Sequence, residues 1–217
     1  MKRTHDTIDP VSADMVWAAA CAAYRINGGY FKVPQKEGDK IVKPTNREIV
    51  KIAMYDQALI TDADREQADC CRAYMAQSVT LQALKSELSE WARITAQVCE
   101  LTEVTSAYNL SVIAAMPHSY TQQIRRESVD ARLRGCRAGV VGQPGDKIQV
   151  VAEVVRNQYS AKYNTWFVSA ITEQNCAVHF AYRESVKANS TVAIRGTVKR
   201  HTDHSTQLNR VKLEEVA

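Results

Sequence analysis

The sequence predicts an α+β protein, with a mainly helical region over 1–137 followed by a closed five-stranded β-barrel over 142–217. Three observations predict it. Up to about Arg137 apolar residues recur at helical spacing. Beyond it they alternate and β-branched residues increase. Between the two, Val140-Val141-Gly142-Gln143-Pro144-Gly145-Asp146 has the glycine and proline content of a turn into a first strand rather than of a long flexible linker.

The helical elements follow in order. Ser12 is placed to cap a helix over 12–25, with Val16, Ala19, Ala20, Ala23 and Tyr24 on one face and Asn27-Gly28-Gly29 as the stop. Lys36 to Lys43, around Gly38-Asp39, reads as a small hairpin or an ordered loop. Thr45-Asn46-Arg47-Glu48 is a capping-box pattern that opens a helix through about Tyr55. Thr61 caps another, with Asp62 and Asp64 in a first turn that favours carboxylates and Ala68, Cys71 and Met75 among its apolar positions. The longest helix is predicted over 80–105, its stripe of Leu81, Leu84, Leu88, Trp91, Ala92 and Thr95 facing a core that buries Leu84 and Trp91. Pro117 is expected to interrupt. A last helix then runs from Ser119 to Leu133 and carries Arg125, Arg126, Arg132 and Arg134, with Arg137 just past its end.

Five strands are predicted within the last 76 residues, at 147–156, 164–172, 177–183, 191–199 and 206–213. Ile148, Val150, Ala152 and Val154 fall on one face of the first, Val178, Phe180 and Tyr182 on one face of the third, and Val192, Ile194, Gly196 and Val198 on one face of the fourth. The alternation slips between Leu208 and Val211, which suggests a bulge. Five short strands suit the OB-type barrel, because closure removes exposed edges. For strand two, both phases are open: if Val168 and Ala170 are core, Trp166 is core and Phe167 faces out with His179, and the opposite phase exposes Trp166.

Composition bounds the function. No apolar run approaches the ~20 residues that span a membrane, and the N-terminus has no apolar stretch behind its charges, so a cytoplasmic protein is expected. The six cysteines form no Cys-x-x-Cys pair and read as small buried hydrophobes in a reducing compartment. There is no phosphate loop, no Gly-x-Ser-x-Gly and no His-Glu-x-x-His, so neither an enzyme nor a cofactor or metal site is expected. His201 and His204 could share a metal but read better as loop histidines. A net charge of +4 permits a polyanion partner.

An OB-type barrel holds extended strands on its second and third strands and on the loops joining strands one to two and four to five. The first loop is read as 156–163, with Arg156, Tyr159, Lys162 and Tyr163, and the second as 200–205, with Arg200, His201, Asp203 and His204, flanked by Lys199. Bases stack on aromatic faces and cations track phosphates. Candidate nucleic-acid contacts are therefore Arg156, Tyr159, Lys162, Tyr163, Trp166, Phe167, His179, Lys199, Arg200 and His201. The four helix arginines 125, 126, 132 and 134 would extend the footprint. Residues 142–217 hold ten Lys/Arg against seven Asp/Glu, a modest surplus.

Gly196-Thr197-Val198-Lys199-Arg200-His201 and Thr206-Gln207-Leu208-Asn209-Arg210-Val211-Lys212, with 142–146 and Tyr159-Ser160, resemble an OB-like module of bacteriophage replication-associated, single-stranded DNA-binding proteins. The resemblance covers the last third of the chain and implies a role near DNA replication or processing, in the host cytoplasm. The expected partner is single-stranded DNA or RNA. The helices would form a homo-oligomer or dock a replication protein. The alternative function is an interaction module for a replication protein, nuclease or host factor, through the same aromatic and arginine-bearing loops.

Overall fold

A computed structural model of the chain describes residues 7–136, 140–202 and 204–215. Arg137 and Asp203 therefore lie outside the described residues. Contacts divide the chain into two compact units, one ending at Ile124 and one beginning at Arg125.

The first unit is built on α1 (Ala13–Asn27), buried on nearly all sides by its alanines, Val16, Trp17 and Cys21. A helix hydrophobic all round belongs at a core's centre. It ends in a Schellman turn: the Gly28 and Gly29 N–H groups donate to the Arg25 and Tyr24 carbonyls, with Gly28 at φ +65°. Around it lie α2 (Asn46–Tyr55), α3 (Asp62–Ala83), α4 (Glu90–Glu100) and the first part of α5 (Ala107–Arg134). Thr45 and Thr61 both close complete capping boxes, with Glu48 and Asp64. Strand β1 (Thr7–Ser12) pairs antiparallel with β4 (Glu103–Ser106), and β2 (Gln35–Glu37) forms a hairpin with β3 (Lys40–Lys43) through Gly38 at φ +60°.

Two expectations are corrected here. The long helix over 80–105 is two helices. Residues 84–89 separate α3 from α4, and the Ser89 side chain caps α4 by accepting from the Ala92 N–H at 3.2 Å. The stripe of leucines mixed two elements, so Leu84 is 79% and Trp91 46% exposed, and the buried face of α4 is Ala92, Thr95, Val98 and Cys99. Pro117 does not end a helix: α5 runs through it. The proline forgoes one backbone bond, but Leu110, Ile113, Met116 and Pro117 itself are buried, and that packing outweighs the loss.

The second unit holds the end of α5 and β5 (Lys147–Ser160), β6 (Thr165–Thr172), β7 (Ala177–Tyr182), β8 (Thr191–Thr202) and β9 (Ser205–Glu215). The five strands close a barrel in the order β5-β6-β7-β9-β8, with β7 and β9 parallel and the other described pairings antiparallel. The inner faces are those the alternation predicts: Ala152, Val154, Val168, Ala170, Val178, Phe180, Val192, Ile194, Val198 and Leu208 form one buried core. The bulge falls where the alternation slips. Arg195 pairs with Lys212 and Thr197 with Asn209, so Gly196 faces the two residues Arg210 and Val211. A Cβ at Gly196 would sit 3.2 Å from a Val211 methyl, which is why that turn of the wall takes glycine. Five cysteines are buried and Cys70 is exposed; all six are free thiols. Burial pushes the Cys21 thiol up to about 12. No helix among the described residues is long and apolar enough to cross a membrane.

Candidate nucleic-acid interface

Both loops are shorter than the sequence reading. β5 runs to Ser160 and β8 to Thr202, so Arg156, Tyr159, Arg200 and His201 are strand residues and the first connection is the turn 161–164. Asn164, at φ +46°, makes that turn; Tyr159-Ser160 contains no residue that breaks a strand.

The turn carries an aromatic cluster. Tyr159 lies opposite Trp166 across the β5–β6 ladder, with ring centres 5.2 Å apart, and its hydroxyl donates to the Asn164 side-chain oxygen at 2.7 Å. Because Val168 and Ala170 point inward, Trp166 packs on the barrel core and Phe167 faces out, 45% exposed. Tyr163, 61% exposed, meets Phe167 edge to face at 6.0 Å, and the Lys162 ammonium lies 5.2 Å from the Tyr163 ring centre. Tyr163 and Phe167 thus offer ring surface to solvent beside a cation.

Phe167 opens onto a groove of about 370 Å³ on the outer wall, lined by Ser169, His179, Ala181, Lys199, Gln207 and Arg210, among others. The register sets this lining: Phe167 pairs with Ala181, Ser169 with His179, and His179 with Gln207 across the parallel β7–β9 pair. His179 Nδ1 lies 2.8 Å from the Ser169 hydroxyl. Burial, with the nearby Arg156 charge, holds the His179 imidazole below its ordinary value. Arg200 Nε donates to Gln207 Oε1 at 2.8 Å, which fixes the guanidinium along the groove's edge. Lys199 is exposed at the same edge.

Arg156 and His201 are placed differently. Arg156, opposite Ser169, is ion-paired with Asp130 of α5, so its charge is already answered. His201 is half-buried, with Nδ1 3.2 Å from the Thr206 hydroxyl and Nε2 buried without a partner among the described residues. Arg132 pairs bidentately with Glu153, at 3.1 and 2.6 Å. Exposed Arg125, Arg126 and Arg134 make no ion pair among the described residues. Sequence reasoning missed Gln207, Asn209 and Arg210 as groove residues. The slip at 208–211 was their signal, since the bulge puts Arg210 at φ +52° and turns this stretch toward the groove.

Charge separates the units. Residues 125–217 hold 15 Lys/Arg against 9 Asp/Glu, a net +6, whereas residues 1–124 hold 13 against 15, a net −2. The barrel unit therefore carries the basic character of the chain. No protein-family model, curated protein or solved structure matches this chain.

Proposed function

We propose that the barrel binds single-stranded nucleic acid along its outer wall, with bases on Tyr163 and Phe167 and the backbone tracking Lys162, Lys199, Arg200 and Arg210. The single observation that carries the reading is the exposed Tyr163–Phe167 pair, flanked by Lys162 and opening into the basic groove over β7 and β9. Stacking tolerates any base, so the binding has little sequence preference. The net +6 of the unit supports a polyanion over a neutral partner. The resemblance of 196–212 to phage replication modules fits a DNA replication or processing accessory acting in the host cytoplasm.

The test is a titration of labelled single-stranded oligonucleotide at low and at physiological salt. Substituting both Tyr163 and Phe167 by alanine weakens binding by about 1–3 kcal/mol per lost stack without changing the salt slope. Removing Lys162 or Lys199 instead flattens the log–log slope by about 0.7 per contact. A wild-type chain that binds no oligonucleotide at low salt would refute the proposal and turn the same surface into a protein-docking face.

A further inference from the structure

The first unit carries a second cavity of about 450 Å³, lined by Tyr30, Phe31, Lys32, Thr45, Arg47, Glu48, Lys51 and Ser111. Its charge runs against its surroundings. Residues 32–51 hold six Lys/Arg and three Asp/Glu, a net +3 within a unit that is −2 as a whole. Lys32 and Arg47 are exposed and make no ion pair among the described residues. The one lining carboxylate, Glu48, is occupied: it accepts the Thr45 N–H at 2.8 Å and the Thr45 hydroxyl at 2.9 Å. The cavity therefore presents three cations whose charge the capping acid offsets only in part.

The aromatic wall is held rigidly. Buried Asn46 accepts the Phe31 N–H at 2.8 Å and an N–H of buried Asn27 at 2.9 Å, and donates to the Gly29 carbonyl at 3.0 Å. The Asn46 N–H donates to the Phe31 carbonyl at 3.1 Å. Asn27 also donates to the Pro44 carbonyl, while its own carbonyl accepts the Lys43 ammonium at 3.0 Å. That ammonium lies 5.0 Å from the Phe31 ring centre. Tyr30 stacks on His118 with ring centres 5.8 Å apart. Two buried asparagines thus fix the backbone around Phe31 and the Lys43 ammonium beside its ring. Buried polar groups are costly unless fully bonded, and this pair spends its bonds on shaping the loop 29–31. On the neighbouring hairpin, exposed Lys36 and Lys40 are balanced by exposed Glu37 and Asp39, so the positive charge is concentrated at the cavity itself.

We infer that this cavity is a second contact for single-stranded nucleic acid, taking a phosphodiester between Lys32, Arg47 and Lys51 with its base against Phe31 or Tyr30. The choice of ligand class rests on the single-strand reading of the barrel. A free nucleotide offers the same phosphate-and-base chemistry, and the competition arm below separates it from a strand; three exposed cations around one cavity favour a chain that brings more than one phosphate.

The experiment uses the full chain and a labelled oligonucleotide of about 16 nucleotides carrying photoreactive 5-iodo-deoxyuridine, with crosslinked peptides mapped by mass spectrometry. Crosslinks at Tyr30 or Phe31 are expected. The combined variant K32A, R47A and K51A should lower the log–log salt slope by about 2, at about 0.7 per phosphate contact. All three side chains are exposed, so the variant is expected to fold, which circular dichroism checks. The crosslink map does not depend on that variant. Crosslinks confined to 159–167 together with an unchanged slope overturn this inference and leave the barrel reading standing. Crosslinks at Tyr30 or Phe31 with none on the barrel leave this inference standing and overturn the other. No crosslink and no binding at low salt remove both. If a nucleoside triphosphate at equal phosphate concentration abolishes the crosslink at 30–31 but spares the barrel's, the cavity belongs to free nucleotides and the strand assignment is overturned.

Discussion

Gly142 offers a sharp test of how the barrel wall is packed. It sits at φ +68°, in the left-handed region, where an alanine costs about 1–2 kcal/mol. A Cβ there would lie 3.0 Å from the Ile148 Cγ2, 3.3 Å from the Val198 Cγ2 and 3.4 Å from the Asp146 Oδ2. The two methyls belong to β-branched side chains on β5 and β8, which cannot rotate away cheaply. Overpacking of that kind costs about 1–3 kcal/mol, while the stiffer unfolded chain returns about 0.4–1. Gly142→Ala therefore destabilises the barrel by about 3 kcal/mol, within a range of about 1–4.5. Gly145, at φ +98° with nothing within 4 Å of its Cβ position, is the control for backbone strain alone. Amide hydrogen exchange is the assay, because it reads each unit separately. Peptides from β5 and β8 should exchange roughly 100-fold faster in Gly142→Ala, since every 1.4 kcal/mol is tenfold, while α1 peptides keep the wild-type rate. Equal effects from the two glycine variants would refute the packing argument.

Other outcomes follow from features described above. Asn46→Ala removes the buried partner of Asn27, Gly29 and Phe31 and should cost about 3 kcal/mol, at about 1 per bond with a donor left unsatisfied, read by urea unfolding of the helical unit. Leu84→Ala, at a position 79% exposed, should change stability by no more than about 0.5 kcal/mol in the same assay; a loss of several kcal/mol would return Leu84 to a core. The His179 imidazole is held below its ordinary 6.5, so the folded chain binds that proton less readily than the unfolded chain. Its contribution to stability is full above about pH 6.5 and falls as the pH drops through 6.5 toward the folded value. His179→Gln should abolish that acid-side loss, measured as the difference between urea midpoints at about pH 7.5 and about pH 5.5.

The barrel was legible because its signal is local and repeated. Inward alternation at 148–154, 178–182 and 192–198 fixes register with period two, and the phase of Trp166 and Phe167 follows once Val168 and Ala170 are placed inside. The helical unit was less legible where tertiary packing overrides local rules. Pro117 reads as a breaker in isolation and is tolerated because its helix is buried around it. Leu81, Leu84 and Trp91 share a helical stripe in the sequence, yet Ser89 restarts the helix between them. Strand β1 contains Asp9-Pro10, which reads as loop, and only β4, about 95 residues later, gives it a partner. The Asn27–Asn46 pair has no local signature either, since a polar residue is buried only when a distant partner satisfies it.

The place of β9 in the ring has a consequence for how the barrel folds. This strand lies between β7 and β8, so neither can complete its pairing before 205–215 is in place. β5 likewise joins β8, bringing 147–153 against 191–197. The β5–β8 and β7–β9 pairings are distant in sequence, unlike the local β8–β9 hairpin, and loop-closure entropy must be met before such contacts reward it, which makes the search slow compared with helix formation. A chain truncated before Ser205 would leave the facing sides of β7 and β8 as two open edges, each a template for another copy. Such a truncation should yield aggregates, not a looser barrel, whereas full-length chains pass through that hazard only until the final strand slots in.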